Sequence, residues 1–261
     1  MSALERWQSY DAVAAEYNEG RPGYPEPLID ECIQLAGLGP DSRILEIGCG
    51  TGQATRSFAR RGFRMVCLEP GSNLAKIAAK NLTAFPKVII REERFEDWQL
   101  EPEGFDLVLA ATSLHHVAME FRYAKSVQAL KAGGFIAVLG NHPGQDDPDF
   151  RAELDRIYAH WWGDETARVF ARRTLEKRID TTRKQIEDSG QFGPVSIRRH
   201  PWTVEYDAPR YMALLDSDSG RLNHPPEVQE GLKKDIANAI ARHGGTVRRG
   251  YVAVLALAQR R

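Results

Sequence analysis

Residues 44–53 read ILEIGCGTGQ, an apolar strand that runs into a loop with glycine at positions 48, 50 and 52 and a glutamate, Glu46, just before it. Glycine at alternate positions lets a backbone turn sharply and lets a ligand approach without a Cβ in the way. A strand, a glycine loop and a helix in that order mark the first crossover of an open α/β sheet, where ligands bind beyond the strand ends. The dinucleotide fingerprint is G-x-G-x-x-G, whereas the spacing here is G-x-G-x-G. Glu46 would repel a pyrophosphate and attract the ammonium of an amino-acid moiety.

Outward from that loop, strand and helix patterns alternate. SRILEIG (42–48), RMVCLEP (64–70), KVIIREE (87–93), FDLVLAATS (105–113) and FIAVLGN (135–141) read as strands. TGQATRSFARRG (51–62) and SNLAKIAAKNL (72–82) read as helices, with Ala54, Phe58 and Ala59, then Leu74, Ile77 and Ala78, at helical spacing. FRYAKSVQALKAGG (121–134) reads as a helix ended by Gly133 and Gly134. Near-continuous apolar strands separated by helices predict a parallel sheet covered on both faces. After the turn-rich NHPGQDDPD (141–149), residues 148–190 read as helical. VSIRRHPWTVEY (195–206) reads as a strand interrupted by Pro201, residues 225–245 as a helix, and TVRRGYVAVLALAQ (246–259) as a closing strand. The expectation is a doubly wound, mostly parallel seven-stranded sheet forming one domain. Residues 1–40 form an N-terminal cap, 41–144 the ligand-binding core, 145–225 a helical lid insertion over an acceptor pocket, and 226–261 a helix and strand that complete the sheet.

Composition narrows the function. The 261 residues carry 35 basic and 36 acidic side chains, a formal net charge of −1, so no overall field selects nucleic acid or an anionic membrane. No apolar run reaches a membrane span and the N-terminal residues lack a signal-peptide core, which predicts a soluble, cytoplasmic protein. Cys32, Cys49 and Cys67 have neither disulfide-framework nor zinc-ligand spacing and read as reduced packing residues. The scattered histidines predict no metal site.

ILEIGCGTG resembles the first motif of the class I S-adenosylmethionine-dependent methyltransferases, and CLEP (67–70) resembles their second. The resemblance implies a Rossmann-like fold with an antiparallel last strand and S-adenosylmethionine as cofactor. It places Glu46, Gly48, Cys49, Gly50, Thr51 and Gly52 against the methionine part. Glu69, followed by Pro70, takes the ribose hydroxyls. Glu96 or Asp97 in RFEDW (94–98) meets the adenine amine, while Phe95 or Trp98 covers the ring, and Ala111 at the end of the fourth strand completes the site. YDAVAAEYNEGRPGYP (10–25) is similar to the N-terminal helix and Arg-Pro turn of small-molecule methyltransferases of the trans-aconitate type. By that likeness Tyr10, Tyr17, Arg21 and Tyr24 close over the cofactor and Arg21 pairs with its carboxylate.

His115 and His116, in ATSLHHV (111–117), stand where the family's acceptor sits. Either is a general-base candidate, with packing under the loop as the plainer reading. Trp161, Trp162, Trp202 and Tyr206 are candidates for an acceptor cage or for ordinary core. Arg168, Arg172 and Arg173 are candidates for an acidic acceptor or for a solvated face. The segment lacks the Asp/Asn-Pro-Pro-aromatic sequence of enzymes that methylate nucleic-acid amines. The expected activity is methyl transfer to a small molecule, first at oxygen. An NAD-dependent oxidoreductase, or a cofactor-binding protein of the same fold without methylating activity, is the alternative.

Overall fold

The computed structural model describes residues 6–163, 174–217 and 224–261. Three helices, α1 (Arg6–Asp11), α2 (Ala14–Gly20) and α3 (Glu26–Leu35), precede β1 (Arg43–Ile47). Then follow α4 (Gln53–Arg60), β2 (Arg64–Leu68), α5 (Ser72–Asn81), β3 (Val88–Arg91) and β4 (Phe105–Ala111). A 3-10 turn at Leu114–His116 and two short helices, α6 (Met119–Arg122) and α7 (Ala124–Ala129), lead into β5 (Leu130–Pro143). The rest is α8 (Pro148–Trp162), α9 (Leu175–Asp188), β6 (Ser196–Asp207), α10 (Ala208–Asp216), α11 (Pro226–Arg242) and β7 (Thr246–Gln259).

Among the described residues these strands form one seven-stranded sheet in the order β3-β2-β1-β4-β5-β7-β6. β1 to β5 pair in parallel, and β7 runs antiparallel to both β5 and β6. This is the doubly wound, Rossmann-like arrangement. The order reverses between β1 and β4, so the glycine loop after β1 and the segment after β4 face each other across the switch point.

Strand alternation divides the core. Ile44, Met65 and Cys67 pack with α3 and α4 on one face, while Leu45, Ile47, Val66 and Leu68 pack with Phe105, Ala129 and Ile186 on the other. A third cluster joins Phe150, Tyr206, Tyr211, Leu232, Ile236 and Ile240, tying α8, α10 and α11 to the overhanging ends of β6 and β7. Within the 145–225 segment, β6 therefore belongs to the sheet. It is an edge strand, which explains how Pro201 is tolerated: its missing N–H can face away from the β7 ladder.

The helix expected over 121–134 differs. It breaks at Tyr123 and ends at Ala129, and Leu130 already pairs with Phe105. Gly133, at φ +77°, lies inside β5 next to the register shift between Phe105 and Leu107. The glycine pair serves a strand bend, not a helix stop. The three cysteines are free and buried, and no described helix is long and apolar enough to cross a membrane.

Candidate functional site

A cleft of about 950 Å³, part of it open to solvent, lies over the switch point. Its floor is the loop after β1. Gly48 and Gly50 adopt φ +66° and +58°, a region costly for any residue with a Cβ. A Cβ on Gly48 would stand 2.7 Å from that of Ser113, whose hydroxyl donates to the Ile47 carbonyl and so fastens the β1 and β4 ends together. The neighbouring Thr112 has φ +59°, a strained conformation for a β-branched residue. Its Oγ1 is 2.7 Å from the Tyr24 hydroxyl, which holds it at the cleft wall.

Glu69 occupies the end of β2. Its Oε2 accepts from the Gly50 N–H at 2.8 Å and its Oε1 from the Gly71 N–H at 2.9 Å. Burial pushes its carboxyl up to about 7, against the pull of those two N–H groups. Each oxygen keeps a lone pair for a further donor.

One long wall is the N-terminal cap. Trp7, Tyr10, Tyr17 and Arg21 line the cleft, and Tyr10 stands edge-on to both Tyr17 and His116, at 5.8 and 5.7 Å between ring centres. Tyr17 lies 3.5 Å from where a Gly50 Cβ would be, so the glycine leaves room for the ring. Arg21 donates from Nε and Nη2 to the Ser217 hydroxyl and carbonyl, both at 2.8 Å. Opposite, Phe95 and Glu96 line the cleft. Lys125 donates to the carbonyls of Glu96 and Trp98, and its ammonium sits over both aromatic rings, pinning the 95–98 segment. Glu96 Oε1 accepts from the Ala118 N–H at 3.0 Å. His115 and His116 reach the cleft from the 3-10 turn, with ring centres 3.9 Å apart. Arg122 donates to the Val117 carbonyl and braces that turn from behind.

The cleft thus gathers Tyr17, Arg21, Gly48, Gly50, Glu69, Pro70, Phe95, Glu96, Ala111, His115 and His116. Glu46, Cys49, Thr51, Gly52 and Asp97 are not among its lining. Glu46 is the instructive correction. Alternation along β1 puts it with Ile44 on the face covered by α4, where it is fully buried and accepts from the Thr55 hydroxyl at 2.7 Å. Asp97 is turned to solvent, 3.8 Å from Arg94. Cys49 is buried under the loop. A Gly52 Cβ would meet Leu82 of the following helical layer, and the Thr51 hydroxyl is 2.7 Å from Gln53 Nε2, which donates to it. Trp98 stacks behind Phe95, outside the cleft lining.

The cage candidates also separate. Trp161 lies against Gly231 of α11 and donates to Asp235, Trp162 stacks between Tyr158 and His224, and Tyr206 is fully buried, bonded to Tyr251 and the Gly20 carbonyl. These three are packing residues. Trp202 is half-buried and donates to Asn141. Arg168, Arg172 and Arg173 lie outside the described residues. Trp7, Thr112 and Ser113 line the site without a local signal that sequence spacing could have supplied.

Residues 45–138 match the family model of a methyltransferase domain. The chain carries a methyltransferase domain and is a methyltransferase. An uncharacterized methyltransferase of Mycobacterium tuberculosis is 26% identical over 235 residues, covering 90% of this methyltransferase and 86% of that protein. Among solved structures, a chain of Anaeromyxobacter dehalogenans assigned as a type II methyltransferase superposes with TM-score 0.64 at 18% identity, over 92% of this chain and 97% of that one. A Haemonchus contortus phosphoethanolamine N-methyltransferase, solved with S-adenosylhomocysteine and phosphomonomethylethanolamine, superposes with TM-score 0.57 at 16% identity. It covers 99% of this chain and 59% of that one. At these identities the superpositions speak for the fold alone. The residues of the cleft fit S-adenosylmethionine as a cofactor. The glycine floor admits a close ligand backbone, Glu69 has acceptor capacity for two hydroxyls, and Phe95 offers an aromatic wall for a purine.

Proposed function

We propose that this methyltransferase acts on a small molecule at oxygen, with a carboxylate as the first acceptor and a hydroxyl as the second. The observation that carries this reading is how the cleft's carboxylates are engaged. Glu69 holds Gly50 and Gly71, Glu93 lies 3.8 Å from Arg91, and Glu96 accepts from Ala118 and lies 3.3 Å from Arg94. With the remaining Glu69 lone pairs assigned to the ribose hydroxyls of the cofactor, no carboxylate among the described cleft residues is left to receive the positive charge of an amine. The N-terminal cap walls the cleft on one long side, which suits a metabolite better than a polymer. The likeness of residues 10–25 to the trans-aconitate-type enzymes supports the same acceptor class.

When bound, S-adenosylmethionine supplies an electrophilic methyl group on a sulfonium. Glu69 would accept the ribose hydroxyls, the 48–50 backbone would lie along the methionine part, and Phe95 with Glu96 would hold the adenine. Arg21 has further guanidinium N–H groups beyond the two spent on Ser217, enough for a bidentate pair with the cofactor carboxylate. The remaining task of the protein is alignment and exclusion of water, worth roughly 7–11 kcal/mol. A carboxylate acceptor is ionised at neutral pH and needs no base. A phenol, titrating near 10, would have to lose its proton at a cost of about 4 kcal/mol.

Two expected results follow from these roles. Arg21→Ala weakens S-adenosylhomocysteine binding by about 1.5–3 kcal/mol in calorimetric titration, the worth of a hydrogen bond to a charged group. Wild-type affinity would remove Arg21 from the site. His115→Gln and His116→Gln each keep turnover within about tenfold on a carboxylate acceptor, because no proton has to move. A loss in the range of 10²–10⁴, typical of a missing general base, would reassign the acceptor as a hydroxyl. The acceptor itself is found by incubating the enzyme with methyl-labelled cofactor and a metabolite extract, then locating the label by mass spectrometry. A methyl ester or ether supports the reading, and a methylated nitrogen contradicts it.

A further inference from the structure

The cap that walls the cleft is built from short helices. α2 has seven residues and α1 is described over six, Arg6–Asp11, and stretches of that length do not hold a helix by themselves in water. Their position must come from where they are fastened. α2 is fastened firmly. A Cβ on its last residue, Gly20, would lie 2.2 Å from the Leu214 backbone nitrogen, so the cap and α10 touch backbone to backbone there. Arg21 adds its pair of bonds to Ser217 just beyond.

The α1 end is held differently. α5 begins directly after Glu69-Pro70-Gly71, and its own N-cap residue, Gly71, has no side chain to satisfy the first N–H groups. Asp11, the last residue of α1, does so across 62 residues of sequence. Its Oδ1 accepts from the Asn73 N–H at 2.8 Å and the Leu74 N–H at 3.0 Å, while Asn73 Nδ2 lies 3.2 Å from Oδ2 and 3.3 Å from the Asp11 carbonyl. Gly71 is shaped for this. A Cβ there would stand 2.6 Å from Asp11 Oδ1. A carboxylate at a helix N-terminus is favoured both as a cap and by the helix dipole. Trp7 and Tyr10 of α1 are cleft-lining residues, so the bond that caps α5 also holds these rings over the cleft.

We propose that Asp11 is the latch of the cofactor site. Its bond to the first turn of α5 holds α1 shut over the bound nucleoside, and breaking it opens the path by which cofactor and product exchange. Asp11 acts through Trp7 and Tyr10, as a positioning residue. The proposal rests on the cleft being the cofactor site, which binding of S-adenosylhomocysteine to the wild-type protein tests separately.

The experiment is stopped-flow association and dissociation of S-adenosylhomocysteine with the full chain, followed by tryptophan fluorescence. Asp11→Ala is expected to speed dissociation between roughly three- and thirtyfold, the span of a lost helix cap, with association no slower than wild type. Asp11→Asn keeps a side-chain oxygen that caps well, so its dissociation rate should lie nearer wild type than that of the alanine variant. If wild type binds and Asp11→Ala releases the ligand within twofold of its rate, the latch is wrong. Loss of affinity expressed wholly as slower association, equal in both variants, would equally overturn it, because that pattern marks general damage to the α5 start.

Discussion

Glu69→Gln is expected to weaken S-adenosylhomocysteine binding by about 3 kcal/mol at pH 8, more than a hundredfold, the upper range for a lost charge-assisted bond. The geometry explains why so conservative a change is costly. Each Glu69 oxygen already accepts from a backbone N–H, that of Gly50 on one side and Gly71 on the other. A glutamine must turn its NH₂ toward one of them, setting donor against donor and loosening the loop that floors the cleft. Proton linkage supplies a second signature. Burial raises the Glu69 carboxyl to about 7 in the free protein, so at pH 6 it is mostly protonated. Accepting two ribose hydroxyls as well as two backbone N–H groups favours the ionised form, so binding expels that proton. Wild-type affinity should therefore rise as pH climbs from 6 to 8, approaching tenfold per unit below 7, while the glutamine variant stays flat. Calorimetric titration at three pH values reads both effects. Equal affinities for the two proteins at pH 8 would contradict the assignment.

The second large effect concerns stability. Glu46→Gln is expected to stabilise the free protein by about 3 kcal/mol at pH 8.5 and to change it little at pH 5. Burial raises this carboxyl from 4.5 to about 7, opposed by the Thr55 hydroxyl, and its Oε1 has no hydrogen-bond partner among the described residues. Between 4.5 and 7 the folded protein holds a proton that the unfolded chain has lost. The contribution of Glu46 to stability is therefore complete below pH 4.5 and disappears as pH rises through 7. Above that range the fold carries a buried, half-satisfied charge, and at 1.36 kcal/mol per pH unit the penalty is about 3 kcal/mol. Urea denaturation of both proteins at the two pH values measures the difference directly, with other titrating groups cancelling. An identical difference at both values would mean that Glu46 titrates normally in the fold.

Glu46 also marks how far sequence carries. The glycine loop was legible because only glycine adopts the positive φ of positions 48 and 50 without strain, and Glu69 because it closes an apolar strand. The same alternation that identifies β1 as a strand already assigns Glu46 to the Ile44 face, under α4. Proximity in sequence to the loop outweighed that periodicity and suggested a cofactor contact. Gly133-Gly134 misled for a related reason. A glycine after a helical pattern reads as a stop, and nothing local says that the strand has begun at Leu130. Thr112 was invisible because a positive φ in a threonine is imposed by its surroundings, here Tyr24 and the Ser113 fastening. Asp11 looked like one more polar residue in a helix. Its partner Asn73 lies 62 residues away, and tertiary docking alone makes it a cap. Trp161 was readable as core or cage from spacing, and Gly231, on another helix, decides for core.

The central claim is that the cleft between the N-terminal cap and the β1–β4 switch point holds the adenosyl cofactor. A crystal structure with S-adenosylhomocysteine tests it most directly. The account predicts the ribose hydroxyls within hydrogen-bonding distance of both Glu69 oxygens, with the ligand running along Gly48 and Gly50 beneath Tyr17. Electron density for the ligand elsewhere on the molecule, or in the cleft with Glu69 left unapproached, would contradict it.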